Sequence, residues 1–118
     1  MANSRHILSV SYDEPLLLTR GLLLEREGYQ VTSEVGFNPA LSQCEKGKFD
    51  LFVLGHSIPQ RDKLELIRCF RKHSKAPVLS LQRTGEPVVD SADYHVLPED
   101  PREFLATVAR ILLRRTGA

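Results

Sequence analysis

Two short stretches of the chain concentrate the side chains that could do chemistry. Ser11-Tyr12-Asp13-Glu14 follows one aliphatic run, and Gly55-His56-Ser57 follows another. Serine becomes a nucleophile only when a neighbouring base takes its proton. His56 beside Asp13 or Cys69 would be the pair to look for, but a lone histidine in a loop is more often a solvated surface residue. The sequence has no glycine-rich phosphate loop, nucleophile elbow or metal-ligand spacing. The expectation is no enzyme activity, no metal and no cofactor.

Two basic sets complete the inventory. Arg68, Arg71, Lys72, His73 and Lys75 cluster at one helix end, and Arg110, Arg114 and Arg115 sit near the C-terminus. Cations are favourable at the carboxyl end of a helix, which accounts for them without a ligand. Aromatic residues are not interleaved with these charges, so nucleic acid is not the expected partner.

The elements that must position these residues alternate. His6–Ser11 reads as a first strand. Asp13 can cap a helix that has Pro15 in its first turn and carries Leu16, Leu17, Leu18, Leu22, Leu23 and Leu24 to Gly28. Tyr29 to Val35 is a second strand, and Asn38-Pro39 opens a second helix through Leu41 and Cys44. Phe49 to Leu54 is apolar apart from Asp50 and ends at Gly55, as expected of a strand buried on both faces of a parallel sheet. Asp62 to His73 is a third helix with Leu66, Ile67 and Phe70 on one face. Pro77 to Leu81 and Tyr94 to Leu97 are further strands. Asp100-Pro101 starts a last helix with Phe104, Leu105, Val108, Ile111 and Leu112 inward. Alternating strands and helices imply an α/β, doubly wound parallel sheet with right-handed crossovers. One crossover is short: between Gln82 and Tyr94 lie eleven residues, Arg83 to Asp93, including Gly85, Pro87, Val88 and Val89. The composition and length predict a shortened or absent fourth helix.

The 118 residues and 42% apolar content fit one domain over residues 1–118, and the net charge of +1 gives no global pull toward nucleic acid or anionic membrane. No apolar run is long enough to span a bilayer, and residues 1–6 lack a signal-peptide pattern. Cys44 and Cys69 are expected to be free thiols in a reducing, cytoplasmic setting.

In order and spacing, these words resemble the receiver domain of bacterial response regulators, the CheY-like domain of two-component phosphorelays. The likeness runs from about Arg5 to Leu113. It rests on Ile7–Pro15 as first strand and acidic loop, Asp50–Gly55 as phosphoacceptor strand, Ile58-Pro59 with Asp62–Leu66 as proline turn and third helix, and Ala92–Pro98 as fifth strand. The resemblance implies a flavodoxin-like sheet of five strands in the order 2-1-3-4-5. It also aligns the family's phosphorylation pocket with Ser11, Tyr12, Asp13, Gly55, Gln82 and Leu97. Gly55 stands at the phosphoacceptor aspartate, Ser11 and Tyr12 at the paired metal acids, Gln82 at the switch hydroxyl, and Leu97 at the phosphate-pairing lysine. Tyr94 matches the switch aromatic.

A hard divalent cation wants several oxygen ligands, carboxylates among them. Nucleophile, metal acids, hydroxyl and cation have all been replaced. The expected function is therefore that of a pseudo-receiver: a non-phosphorylatable protein–protein module in signal transduction, with Tyr12, Gln82 and Leu97 filling the former pocket. Its partner would be another signalling protein or a second copy of itself. Two other readings stand beside it: a phosphorylatable receiver using Ser11 or Ser57, and a nucleic-acid adaptor using the basic helix ends. Incomplete cover over the fourth and fifth strands points to an interaction surface at Val88, Tyr94, His95, Pro98 and Arg102. Tyr94 is read there either as a packed edge aromatic or as a residue facing the partner.

Overall fold

The computed structural model describes residues 5–82, 85, 91–96 and 100–117, with side chains up to 114. Five strands, β1 (His6–Ser11), β2 (Gln30–Val35), β3 (Leu51–Leu54), β4 (Val78–Leu81) and β5 (Tyr94–Val96), form one sheet in the order β2-β1-β3-β4-β5, with every neighbour parallel. Four helices join them among the described residues: α1 (Glu14–Arg26), α2 (Phe37–Lys46), α3 (Gln60–His73) and α4 (Pro101–Gly117). The doubly wound sheet and its strand order are as expected. Gln82, Gly85 and Ser91–Asp93, the described residues between β4 and β5, hold no helix.

Two apolar cores lie on opposite faces of the sheet. Leu8, Val10, Phe52 and Leu54 point to one, with Leu66, Ile67 and Phe70 of α3 and Cys44 of α2. Ile7, Leu51, Val53, Leu79 and Leu81 point to the other, with Leu24 of α1 and Phe104, Val108, Ile111 and Leu112 of α4. Every residue of β3 and β4 is buried. This is why β3 reads as a continuous apolar run rather than an alternating one.

The expected boundaries shift where local backbone chemistry decides. Gly36 turns the chain after β2 at φ 97°, so α2 begins at Phe37, one residue before the expected Asn38. That places Phe37 against the α2/α3 core. α3 begins at Gln60 rather than Asp62, directly after Pro59, whose extended backbone (ψ 148°) makes the cap. β3 starts at Leu51. Before it, the Asp50 carboxylate accepts the His6 amide at 2.8 Å and so fixes the register of β1 against β3. α1 buries Leu17, Arg20, Gly21 and Leu24, while Leu16, Leu18 and Leu22 are exposed. Its leucines therefore run around the helix, and an arginine sits on the buried stripe.

At the far edge, the Arg71 guanidinium donates to the Ser91 carbonyl at 2.8 Å and to Asp93 Oδ2 at 3.0 Å. Asp93 Oδ2 also accepts the Val78 amide at 2.8 Å. Part of the basic end of α3 thus ties β4 and β5 together.

The packing of α2 against α3 depends on one glycine. Gly47 ends α2 in the left-handed region at φ 61°, and a Cβ there would land on the His73 carbonyl oxygen. Gly47→Ala is expected to lower unfolding free energy by about 1–3 kcal/mol, from backbone strain and displacement of the α3 end. Denaturant titration by circular dichroism measures it, and an unchanged midpoint would contradict the packing described here.

Candidate functional site

The carboxyl ends of β1, β3 and β4 meet at one edge of the sheet, the place where α/β folds of this kind build their sites. Gly55, just past β3, donates its amide to the Val10 carbonyl at 2.8 Å and is itself buried. Ser11 and Ser57 bring their hydroxyls to 3.0 Å across the two loops. Ser57 Oγ accepts the Tyr12 amide at 2.9 Å, and Ser11 Oγ accepts the Asp13 amide at 3.0 Å. Both serines are committed to holding loop backbone. No base touches either in these contacts, so nothing makes them nucleophilic.

Asp13 is committed as well. Its Oδ1 accepts the Leu16 amide at 3.2 Å, the N-cap expected of it, and Glu14 is already in the helix and exposed. Tyr12 reaches across the edge, where its hydroxyl donates to Asp62 Oδ2 at 2.7 Å. Burial, and then the hydrogen bond and charge of Asp62, raise the phenol pKa above its ordinary value, so Tyr12 stays neutral.

Two cations that sequence reasoning missed complete the edge. Arg20 of α1 is 8% exposed, and its Nη1 lies 3.0 Å from where a Cβ on Gly55 would sit. Ser11 Cβ and Oγ are each 3.2 Å from the same point. A side chain at 55 would therefore need Arg20 Nη1 and Ser11 to give way by a few tenths of an ångström. Arg20 Nη1 is buried without a hydrogen-bond partner. Burial lowers the guanidinium pKa from its ordinary value, and the charge of Asp13 opposes that shift. Lys63 of α3, 3% exposed, donates from Nζ to Ser80 Oγ at 2.9 Å and to the Leu81 carbonyl at 2.8 Å, so its charge caps the end of β4.

Of the aligned pocket positions, the structure gathers Ser11, Tyr12, Asp13 and Gly55 at this edge. Gln82 follows β4 and is 6% exposed, with its amide donated to the Val96 carbonyl at 3.0 Å. Leu97 lies outside the described residues, as do Val88 and Pro98 of the expected interaction surface. Of the rest of that surface, Tyr94 is half-buried against the α1/α4 core, while His95 and Arg102 are exposed. Cys44 and Cys69 are free thiols. Burial pushes the Cys44 thiol up to about 12, far from a reactive thiolate. Among the described residues no group of three or more His, Cys, Asp or Glu side chains could hold a metal ion.

No protein-family model matches the chain. It is 28% identical to the transcriptional regulatory protein ResD of Bacillus subtilis over 98% of the chain and 50% of that protein. It is 31% identical to the alkaline phosphatase synthesis transcriptional regulatory protein PhoP of the same organism, over 94% of the chain and 50% of that protein. The chain thus spans about half the length of these curated relatives. In fold it is similar to a response regulator receiver domain protein (CheY-like) from Methanospirillum hungatei. That match has a TM-score of 0.82 and 21% identity, and covers 98% of each chain.

The geometry bears directly on metal binding. A small divalent cation entering beside Gly55 would meet a buried guanidinium and a capping carboxylate already in use. Mg²⁺ titration is expected to leave the amide resonances of Asp13 and Gly55 unmoved through the low millimolar range, where saturable shifts would overturn this.

Proposed function

We propose that this chain, a response regulator receiver domain by sequence relationship and by fold, is a pseudo-receiver. In this reading it passes on a signal in a two-component pathway through protein contacts and takes no phosphoryl group itself. The observation that carries the reading is the Arg20 guanidinium packed on Gly55. Phosphoryl transfer to a receiver needs a carboxylate nucleophile, a metal to gather charge and a cation on the phosphate. Position 55 has no side chain, and one placed there would come into tight contact with Arg20 and Ser11. The serines that could stand in as acceptors are tied to the backbone of the neighbouring loop, which weighs against a phosphorylatable receiver with an atypical acceptor.

The partner in this proposal is another signalling protein, or a second copy of the chain, docking on the β5 edge with the start of α4. β5 is a three-residue edge strand, and its exposed His95 lies beside half-buried Tyr94, with exposed Arg102 the second residue of α4. An edge strand presents backbone N–H and C=O groups that a further chain can pair with. No helix among the described residues is long and apolar enough to cross a membrane, in keeping with work in the cytoplasm. One cation of the nucleic-acid reading, Arg71, is paired with Asp93 at 3.0 Å.

Two experiments test these readings. Incubation with acetyl phosphate and Mg²⁺ followed by intact-mass measurement is expected to leave the parent unlabelled. Gly55→Asp is expected to stay essentially unlabelled too, because its carboxylate would lie against Arg20 while Ser11 and Tyr12 still replace the metal acids. A stoichiometric gain of one phosphoryl mass by the parent would falsify the pseudo-receiver. Separately, Tyr94→Glu is expected to weaken self-association or partner capture at least severalfold with the fold intact by circular dichroism. A partner footprint on chemical-shift mapping confined to α1 or α2 would rule the β5 edge out.

A further inference from the structure

Arg20 has no use in the fold that offsets its cost. A charged group nine-tenths out of water, with an unpartnered N–H, destabilises a domain unless something pairs with it. Asp13 is near enough to act on it through space, but its Oδ1 is held by the α1 cap, and no ion pair joins the two side chains among the described residues. Arg20 also lines a cavity of about 130 Å³ between α1, the end of β4 and the start of α4. The other walls are Leu16, Leu23, Leu81, Pro101 and Phe104, with Thr19 at the α1 side. By volume this is close to the roughly 150 Å³ of apolar cavities that accept a benzene-sized guest.

A pocket with apolar walls and one buried, unsatisfied cation recognises a particular chemistry. A neutral apolar guest would leave the guanidinium unpaired. A small, fully polar anion would pair with it but forgo the apolar walls. A compact carboxylate with an apolar body meets both demands, because guanidinium and carboxylate match in planar, two-pronged geometry. We propose that this cavity binds a small apolar carboxylate, of the size of a benzoate, with its carboxylate on Arg20 and its body against Leu23, Leu81 and Phe104. The site borders the β1/β3 edge through Arg20, which touches both the cavity and Gly55. Occupancy would therefore be sensed where the sheet ends, without phosphoryl chemistry. The proposal stands on the cavity and on Arg20, and it holds whether or not the chain takes up a phosphoryl group.

Benzoate is the probe, benzamide its neutral counterpart of equal shape, and inorganic phosphate the polar anion. Each is titrated into the intact chain at neutral pH with amide chemical shifts and melting temperature as readouts. Benzoate is expected to bind saturably, to move the amides of Arg20, Gly55 and Leu81, and to raise the melting temperature. Benzamide and phosphate are expected to bind at least tenfold more weakly, since a charge-assisted pair contributes on the order of a tenfold factor or more. Arg20→Met is expected to fold with a melting temperature equal to or above the parent's, since it removes an unpaired buried charge, and to lose the benzoate response. Absence of saturable benzoate binding would overturn the proposal. So would benzamide or phosphate binding as tightly as benzoate, or an Arg20→Met variant that melts well below the parent or still responds to benzoate. The last two results would make Arg20 a structural residue or place the ligand elsewhere.

Discussion

β3 can exist only under two layers of helix. None of its four residues is exposed, so its backbone groups must be met by β1 and β4, and both faces must be covered. That constraint sets the rest of the fold. The crossovers carry α2 and α3 to one face and α1 and α4 to the other, which gathers the loops after β1, β3 and β4 at one edge. It also fixes where position 55 faces. Val53 points into the α1/α4 core, and side chains alternate along a strand, so a side chain two residues on would point toward α1. Arg20 of α1 waits at that point.

The two buried cations of this edge differ in how their charge is met. Lys63 donates to a hydroxyl and a carbonyl at the end of β4, an arrangement in which a charged group can be stabilising as well as tolerated. Arg20 Nη1 has no such partner. Natural sequences break the rule that buried polar groups are satisfied chiefly where function demands it. The contrast between two cations a few residues from the same sheet edge is what makes Arg20 informative and Lys63 merely structural.

The two-faced burial of β3 and the Asp13 cap were legible in the residues themselves, because aliphatic runs, proline positions and helix stops act locally, whereas the strand order was legible only through the family resemblance. Arg20 and Lys63 were not recognised, although a periodic signal was there. Leu17 and Leu24 bracket Arg20 at helical spacing, and Lys63 precedes Leu66 by three residues and Phe70 by seven, on the stripe those residues bury. A charged side chain on an apolar stripe reads as an interruption of the pattern, and only coordinates reveal that its head turns toward the sheet edge. The α1 leucines do not by themselves mark a buried face, since Leu16, Leu18 and Leu22 are exposed while Leu17 and Leu24 are buried. The boundaries of α2 and α3 moved because Gly36 and Pro59 set backbone geometry more sharply than the residues after them set helix propensity.

Gly55 and Arg20 are best understood as one feature. A carboxylate at 55 would need a cation in front of it, and a metal could serve only with further acids nearby. A guanidinium brought in from α1 supplies positive charge without any of these groups, and its Nη1 lies 3.0 Å from where a Cβ at 55 would sit. Beside it, Ser11 Oγ accepts the Asp13 amide and the Tyr12 hydroxyl donates to Asp62, so both side chains hold the edge together. Conversely, with no side chain at 55, Arg20 has no carboxylate there to pair with, and Asp13 acts on it only through space. The sign of the edge is thereby inverted relative to a site that gathers acids around a metal. An acid restored at 55 would meet the Arg20 guanidinium at close range, and its charge would be met by that pair rather than by a metal.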